Sequence, residues 1–173
     1  MIDAIVYVSY AGHTKRYAQM LSSKLGIPSY SLKESKKNIC KKSDIIFFTW
    51  VRAGKLVKLK KVRSRYNIKA IGAVGMSNPS KVNTANLQNN NKINLTKEKF
   101  FYLPGGFNMD NLKGINLTLM LAMKRSLTKI SESRKLSLEQ RQMLDMLNTN
   151  KDNIKENNIR EIYSWYMRES KKK

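Results

Sequence analysis

The stretch IDAIVYVSYAGHT, residues 2–14, joins a short β-branched apolar run to a polar turn that contains glycine. An apolar run that ends at such a turn predicts a β-strand over residues 2–8. Apolar residues with helical spacing follow from Thr14 to Leu25, and Gly26 comes next as a typical stop signal. We therefore expect a strand, a small-residue turn and a helix in that order.

The same alternation of strands and helices continues along the chain. Apolar runs predict four more strands, of which the second is the clearest, at residues 27–32, 44–49, 69–75 and 100–103. Basic or Asn-rich helical patterns lie between them, at residues 33–43, where the helix covers part of the stretch, at 56–66 and after Pro79. Five strands that alternate with helices predict an α/β fold, in which helices cover both faces of a parallel sheet.

Extra C-terminal helices are predicted after the last strand. One contains Leu119 to Ile130, and another begins at Ser137, whose spacing to Gln140 fits a capping box. A final apolar face runs from Ile159 to Met167. We expect the methionines of these helices to fill a core, at positions 120, 123, 143 and 146. We also expect a single domain over residues 1–170 and a basic tail over residues 171–173.

The net charge of the chain is +22, from 34 basic and 12 acidic residues. About half of this charge lies between Leu32 and Lys69, where Glu34 and Asp44 are the acidic residues. Such a field attracts acidic proteins, nucleic acids or anionic membranes. An equally open interpretation is that lysine has accumulated at solvated positions without a selected partner.

The remaining composition narrows the compartment and the chemistry. A membrane-spanning helix needs a run of about 18 apolar residues, and the sequence contains none. The first apolar run is not preceded by the charged segment that is typical of a signal peptide. The lone Cys40 fits a reducing, cytoplasmic setting, and with one histidine it cannot compose a usual zinc site. We therefore predict a cytoplasmic protein, and we assign neither a catalytic residue nor a metal ligand.

The first turn, from Ser9 to Thr14, has the features of an anion site. Backbone N–H groups converge where a strand leads into a helix, and the helix dipole adds partial positive charge. Gly12 allows close backbone approach to a phosphate, and the hydroxyls of Ser9 and Thr14 can donate to its oxygens. The alternative is that Thr14 only begins the helix. The turn contains neither the dinucleotide fingerprint nor a Walker A sequence.

This hexapeptide resembles the FMN-phosphate loop of flavodoxins. Three later segments are similar to turns of a flavodoxin-domain branch that includes menaquinone-dependent protoporphyrinogen dehydrogenases: VRAGKL (51–56), AVGMSNP (73–79) and YLPGGF (102–107). The resemblance covers nearly the whole chain and implies a doubly wound, flavodoxin-like sheet with strand order 2-1-3-4-5. Two residues depart from the pattern. Ala11 replaces a frequent hydroxyl residue, and Pro104 stands where the branch often has arginine.

The resemblance implies that FMN is the cofactor and that four loops hold it. It assigns the phosphate to Ser9, Tyr10, Ala11, Gly12, His13 and Thr14, one side of the ring to Thr49, Trp50, Val51, Arg52, Ala53 and Gly54, the other side to Met76, Ser77 and Asn78, and the last edge to Gly105, Gly106 and Phe107. Trp50 has two interpretations, since it either stacks on the ring or packs on a neighbouring helix.

The implied function is electron transfer by an FMN-binding, flavodoxin-type protein. The basic residues from Lys55 to Arg65 would lie near the flavin and favour redox partners that are acidic at the contact surface. The alternative is a quinone-linked flavoprotein dehydrogenase of the protoporphyrinogen-oxidising type, which an anionic membrane surface would suit. Nucleic acid is the least favoured partner, because the sequence contains no recognition motif.

Overall fold

The computed structural model describes residues 2–77, 79–106, 114–148 and 152–171. They fall into two compact units, of which the first comprises Met1–Gly105 with Ile154–Lys173 and the second comprises Gly106–Asn153. Our expectation of one domain over residues 1–170 stays a prediction. No helix in the described ranges is both long enough and apolar enough to cross a membrane.

The described residues form helices over most of the segments whose apolar spacing predicts a helix. They are α1 (His13–Leu25), α2 (Leu32–Asn38), α3 (Leu59–Arg63), α4 (Thr84–Asn90), α5 (Ile115–Ser133), α6 (Leu138–Asn148) and α7 (Arg160–Ser170). Short 3-10 helices occupy Pro79–Lys81 and Glu156–Ile159.

The first unit is built on a parallel sheet. Its strands are β1 (Ala4–Tyr7), β2 (Ser29–Ser31), β3 (Asp44–Arg52), β5 (Asn67–Gly75) and β6 (Lys99–Pro104), and a short strand β4 (Lys55–Leu56) pairs antiparallel with the end of β3. The parallel strands lie in the order β2-β1-β3-β5-β6. When the five parallel strands are numbered along the chain without β4, their order is 2-1-3-4-5. The predicted flavodoxin-like α/β fold is therefore confirmed.

Helices pack on both faces of this sheet. Because side chains alternate along a strand, Ile46 and Phe48 of β3 join the core under α1 and α7. Ile45 and Phe47 point the other way, into the core under α2, α3 and α4. All four side chains are fully buried. Burial of each such side chain stabilises the fold by roughly 1.5–3 kcal/mol.

The structure corrects one helix prediction and confirms two helix ends. The helix expected at 56–66 is limited to α3, because Leu56 belongs to β4. The stretch at 33–43 is helical in part, as predicted, since α2 ends at Asn38 and the backbone then becomes extended. Gly26 ends α1 in a left-handed conformation, with φ of 66°. The predicted capping box before α6 is confirmed by the hydrogen bonds that Ser137 and Gln140 exchange.

The second unit contains α5 and α6, which share a small apolar core. Leu127 and Leu147 are buried in it, and Met120, Met123 and Met143 pack against them. The described methionines of this unit therefore fill a core, as their spacing predicts.

Gly72 in β5 is required by the ring of Phe48 on the neighbouring strand. A Cβ atom at this position would come within 2.6 Å of two ring carbons. We expect Gly72→Ala to lower the free energy of unfolding by about 1–3 kcal/mol, because the ring must move inside a close-packed core. Urea denaturation measures this change. The matched control is the same substitution in a Phe48→Leu background. There, Gly72→Ala should lower the free energy of unfolding by less than it does beside Phe48. An equal cost in both backgrounds would contradict the proposed clash.

Candidate functional site

Three of the four candidate loops follow neighbouring strands of the sheet. β1 pairs with β3 through Tyr7 and Phe48, and β3 pairs with β5 through Trp50 and Val74. Because the carboxyl ends of parallel strands meet at one edge, residues 9–14, 49–54 and 76–77 lie along that edge. We name it the carboxyl edge. In α/β sheets of this kind, ligands bind at this edge, near the point where the strand order reverses.

The fourth loop is described in part. Gly105 follows β6 at the carboxyl edge, and its N–H donates to the carbonyl of Gly75 at 2.6 Å. Gly106 belongs to the second unit. Two candidate residues, Asn78 and Phe107, lie outside the described residues.

The first loop ends at Gly12, which is the N-cap of α1. Its φ of 88° and ψ of −26° place it in the left-handed region, which favours glycine. No side chain caps this helix, and the first amides of any α-helix lack carbonyl partners within the helix. A Cβ atom at Gly12 would have no heavy atom within 4 Å. The backbone conformation, rather than crowding, is therefore what requires glycine, and the space beside it is open.

Ser9 carries a buried hydroxyl that the structure leaves without a hydrogen-bond partner among the described residues. Burying a hydroxyl without a partner costs about 1–3 kcal/mol. An oxygen from a bound anion would remove that cost. Thr14, the other predicted phosphate donor, is only 2% exposed, which fits its alternative role in packing the start of α1. Ala11 is half-buried, and its methyl side chain has no hydroxyl that could donate to a phosphate.

Two aromatic rings bring the first and second loops together. The ring centroids of Tyr10 and Trp50 lie 6.1 Å apart, with an angle of 35° between the ring planes. Tyr10 is 49% exposed, and Trp50 is partly buried. Aromatic pairs at this separation stabilise each other by about 0.5–1.5 kcal/mol beyond the area they bury. The pair gives the carboxyl edge an aromatic surface that a flat ring can contact.

The second loop is a β-hairpin, which the sequence analysis did not identify. Ala53 and Gly54 both have positive φ, 46° and 72°, as the two-residue turns of tight hairpins require. The hydroxyl of Thr49 donates to the carbonyl of Val57 at 2.7 Å, and the N–H of Val57 donates to the carbonyl of Trp50 at 3.2 Å. The Thr49 hydroxyl therefore closes the hairpin.

Asn91 fixes this hairpin to α4, and sequence reasoning missed it. Its side chain accepts from the N–H of Leu56 at 2.8 Å and donates to the carbonyls of Gly54 at 2.9 Å and Leu87 at 2.8 Å. The residue is only 8% exposed. One buried amide thus holds the hairpin turn and the strand that follows it to α4.

The third loop is held by Tyr102 of β6. Its hydroxyl donates to the carbonyl of Ser77 at 3.0 Å, and its ring lies where a Cβ atom of Gly75 would be. Burial raises the pKa of Tyr102, so its hydroxyl stays protonated and keeps donating at neutral pH. Met76 is 52% exposed on this loop.

Pro104, one of the two departures from the flavodoxin pattern, contributes through its carbonyl. The hydroxyl of Tyr17 in α1 donates to that carbonyl at 2.6 Å, and Asn158 donates to the Tyr17 hydroxyl at 2.7 Å. These bonds fix the carboxyl end of β6 to α1, and they need no side chain at position 104.

The basic residues predicted near a flavin separate into two groups. Arg52, Lys55 and Lys58 are exposed on or beside the hairpin at the carboxyl edge. Arg63 instead forms a two-pronged ion pair with Glu98, which is only 8% exposed. Arg65 donates to the carbonyl of Lys36. The two arginines therefore have structural partners, and the site charge comes from the hairpin.

Comparison with protein-family models and with curated proteins finds no match for this chain.

Proposed function

We propose that this protein binds FMN and transfers electrons in the manner of a flavodoxin. The observation that carries the proposal is the unpartnered hydroxyl of Ser9, buried in the loop that leads to the glycine N-cap of α1. A phosphate monoester supplies several anionic oxygens, which accept hydrogen bonds from a hydroxyl and from the first amides of a helix. The residues of this loop therefore fit the phosphate of FMN.

The rest of the carboxyl edge fits the flat ring of FMN. The rings of Tyr10 and Trp50 offer apolar contact, and the hairpin turn at residues 53–54 offers backbone groups. When bound, FMN would supply reversible one- and two-electron chemistry. The protein would bind it, orient it and limit the access of water to its buried side.

Exposure at this edge favours an electron carrier over the alternative dehydrogenase. Tyr10 and Met76 are about half exposed, so a ring held between them would have an edge open to a partner protein. A dehydrogenase of the protoporphyrinogen-oxidising type would need a second pocket for its substrate. Arg52, Lys55 and Lys58 are exposed nearby and favour a partner that is acidic at the contact.

Replacing Ser9 with alanine tests the phosphate contact. A hydrogen bond to a charged group contributes about 1.5–3 kcal/mol, so Ser9→Ala should weaken FMN binding by about ten- to a hundred-fold. Riboflavin lacks the phosphate, so its affinity should stay nearly unchanged. Titration followed by flavin fluorescence measures both affinities.

The matched control is Ser64→Ala, which removes an exposed hydroxyl bonded to the carbonyl of Lys61, outside the carboxyl edge. It should bind FMN like the wild-type protein. Absence of FMN binding by the wild-type chain would contradict the proposed function. An equal loss for FMN and riboflavin in Ser9→Ala would contradict the phosphate role of Ser9.

A further inference from the structure

We propose that the outer face of α2 and α3 binds the phosphate backbone of nucleic acid without regard to base sequence. We name this surface the basic face. It consists of exposed lysines on α2, on the connection that follows it and on α3, namely Lys36, Lys37, Lys41, Lys42, Lys60 and Lys61. None of these six lysines is among the residues proposed to bind FMN, and the proposed role of the basic face does not depend on FMN.

The three segments form one continuous surface because hydrogen bonds join them. The guanidinium of Arg65, just after α3, donates to the carbonyl of Lys36 in α2 at 3.0 Å. The N–H of Lys42 donates to the carbonyl of Arg65 at 2.7 Å. Beneath them, the hydroxyl of Tyr66 donates to the side chain of Ser35 at 3.1 Å. The lysines are therefore carried on a fixed backbone rather than on a loose tail.

The charge of the basic face is not neutralised within the described part of the chain. The carboxylate of Asp44 pairs with Lys69 at 3.3 Å, and Glu98 pairs with Arg63. Glu34 lies on α2, where it closes the capping box with Ser31. None of the six lysines forms an ion pair with a described carboxylate. The surface therefore presents a dense field of positive charge to solvent.

The absence of exposed apolar side chains selects the partner. Residues 11–75 are all described, and no large apolar side chain among them is exposed. Hot spots of protein interfaces are enriched in aromatic side chains, and helices that lie in a membrane surface bury an apolar face. A phosphate backbone requires only cations, and binding to it is independent of sequence. The sequence contains no motif for recognition of base edges, which argues against sequence-specific binding. Contacts to the phosphates of a nucleic acid do not require such a motif.

The test compares two variants of equal charge. In the first, Lys36, Lys37, Lys60 and Lys61 of the basic face become glutamine. In the matched control, four lysines that are exposed elsewhere become glutamine, namely Lys97, Lys99, Lys129 and Lys135. Full-length proteins are titrated into a labelled mixed-sequence DNA duplex at salt concentrations from about 50 to about 200 mM. Vesicles containing phosphatidylserine are titrated in parallel, and circular dichroism verifies that each variant is folded.

We expect the wild-type protein to bind the duplex with a steep salt dependence. Each phosphate contact adds about 0.9 to the slope of log affinity against log salt, so four lost contacts should reduce the slope by about 3–4. The basic-face variant should bind at least about ten-fold more weakly than the control variant at intermediate salt. Equal losses in the two variants, no duplex binding by the wild type, or a loss confined to the vesicles would each overturn the proposal.

Discussion

Replacing Asn91 with alanine should lower the free energy of unfolding by about 3–5 kcal/mol, because three backbone groups that bond to one buried side chain would lose their partner together. The N–H of Leu56 and the carbonyls of Gly54 and Leu87 all bond to this side chain. The residue is 8% exposed, so water would replace these bonds poorly. The same change should loosen the hairpin at residues 51–56 and weaken FMN binding in protein that is still folded.

Asn90 provides the control for this experiment, since it is the same residue type at the neighbouring position. Its side chain is exposed, and its carbonyl, which accepts from Lys55 at 2.7 Å, remains after substitution by alanine. Asn90→Ala should change stability by no more than about 0.5 kcal/mol in urea denaturation. If Asn91→Ala fails to fold, Asn91→Asp provides a second test, because it keeps the acceptor for Leu56 but places a buried carboxylate against the carbonyls of Gly54 and Leu87. It should destabilise the fold more than Asn90→Asp does. Equal stabilities for the Asn90 and Asn91 alanine variants would refute the role of this side chain.

Asn91 also illustrates why part of the site could not be predicted. It is one of several asparagines between residues 83 and 94, and nothing in its sequence context distinguishes it from its neighbours. Its importance comes from a contact with Leu56, 35 positions earlier in the chain. Such a contact depends on how two connections meet above the sheet, which local periodicity does not contain.

The strands were predictable because their apolar runs are short, β-branched and bounded by turns. The run at residues 44–49 becomes the core of β3, whose Ile45 to Thr49 are buried. Its extension to Arg52 was missed, because Val51 and Arg52 pair with the two-residue strand β4 rather than continuing an apolar run. The hairpin is decided by the positive φ of Ala53, which is uncommon for alanine and gives little sequence signal.

The site loops were predictable in position more than in detail. The strand-to-helix turn at residues 9–14 does lie beside the hairpin, as the Tyr10–Trp50 contact demonstrates. The sequence assigned hydroxyl roles equally to Ser9 and Thr14. Hydrogen bonding separates them, since the described part of the chain leaves a buried hydroxyl without a partner at Ser9 and identifies none at Thr14. The difference between the two hydroxyls depends on how α1 packs against the sheet, and this packing cannot be predicted from the sequence.

The partners of the basic residues were equally hard to predict from the sequence. The sequence identifies a basic region between residues 32 and 69, but it treats all its cations alike. The fold gives Arg63 a buried carboxylate partner in Glu98, 35 residues away, and leaves Lys60 and Lys61 exposed beside it. The structure therefore divides one charged segment into an arginine paired with a buried carboxylate and exposed lysines that a ligand can reach.

Replacing Trp165 with alanine should cost about 3–5 kcal/mol, the usual range for truncating a buried aromatic side chain. Trp165 is 8% exposed, and it joins α7 to the sheet through Phe101, with ring centroids 6.1 Å apart. Its indole N–H, however, is buried without a hydrogen-bond partner among the described residues. Replacement by phenylalanine should therefore stay within about 1 kcal/mol of the wild type, because removing an unpaired donor offsets part of the lost packing.

Urea denaturation of the two variants separates packing from polarity. A loss in Trp165→Phe as large as that in Trp165→Ala would mean that the indole N–H has a partner that stabilises the fold. The phenylalanine variant also leaves Trp50 as the only tryptophan, since the chain has two. Its fluorescence then reports on the carboxyl edge alone. Bound FMN should quench that emission, because the proposed ring position lies against Trp50. Unchanged emission at saturating FMN would place the cofactor away from this residue.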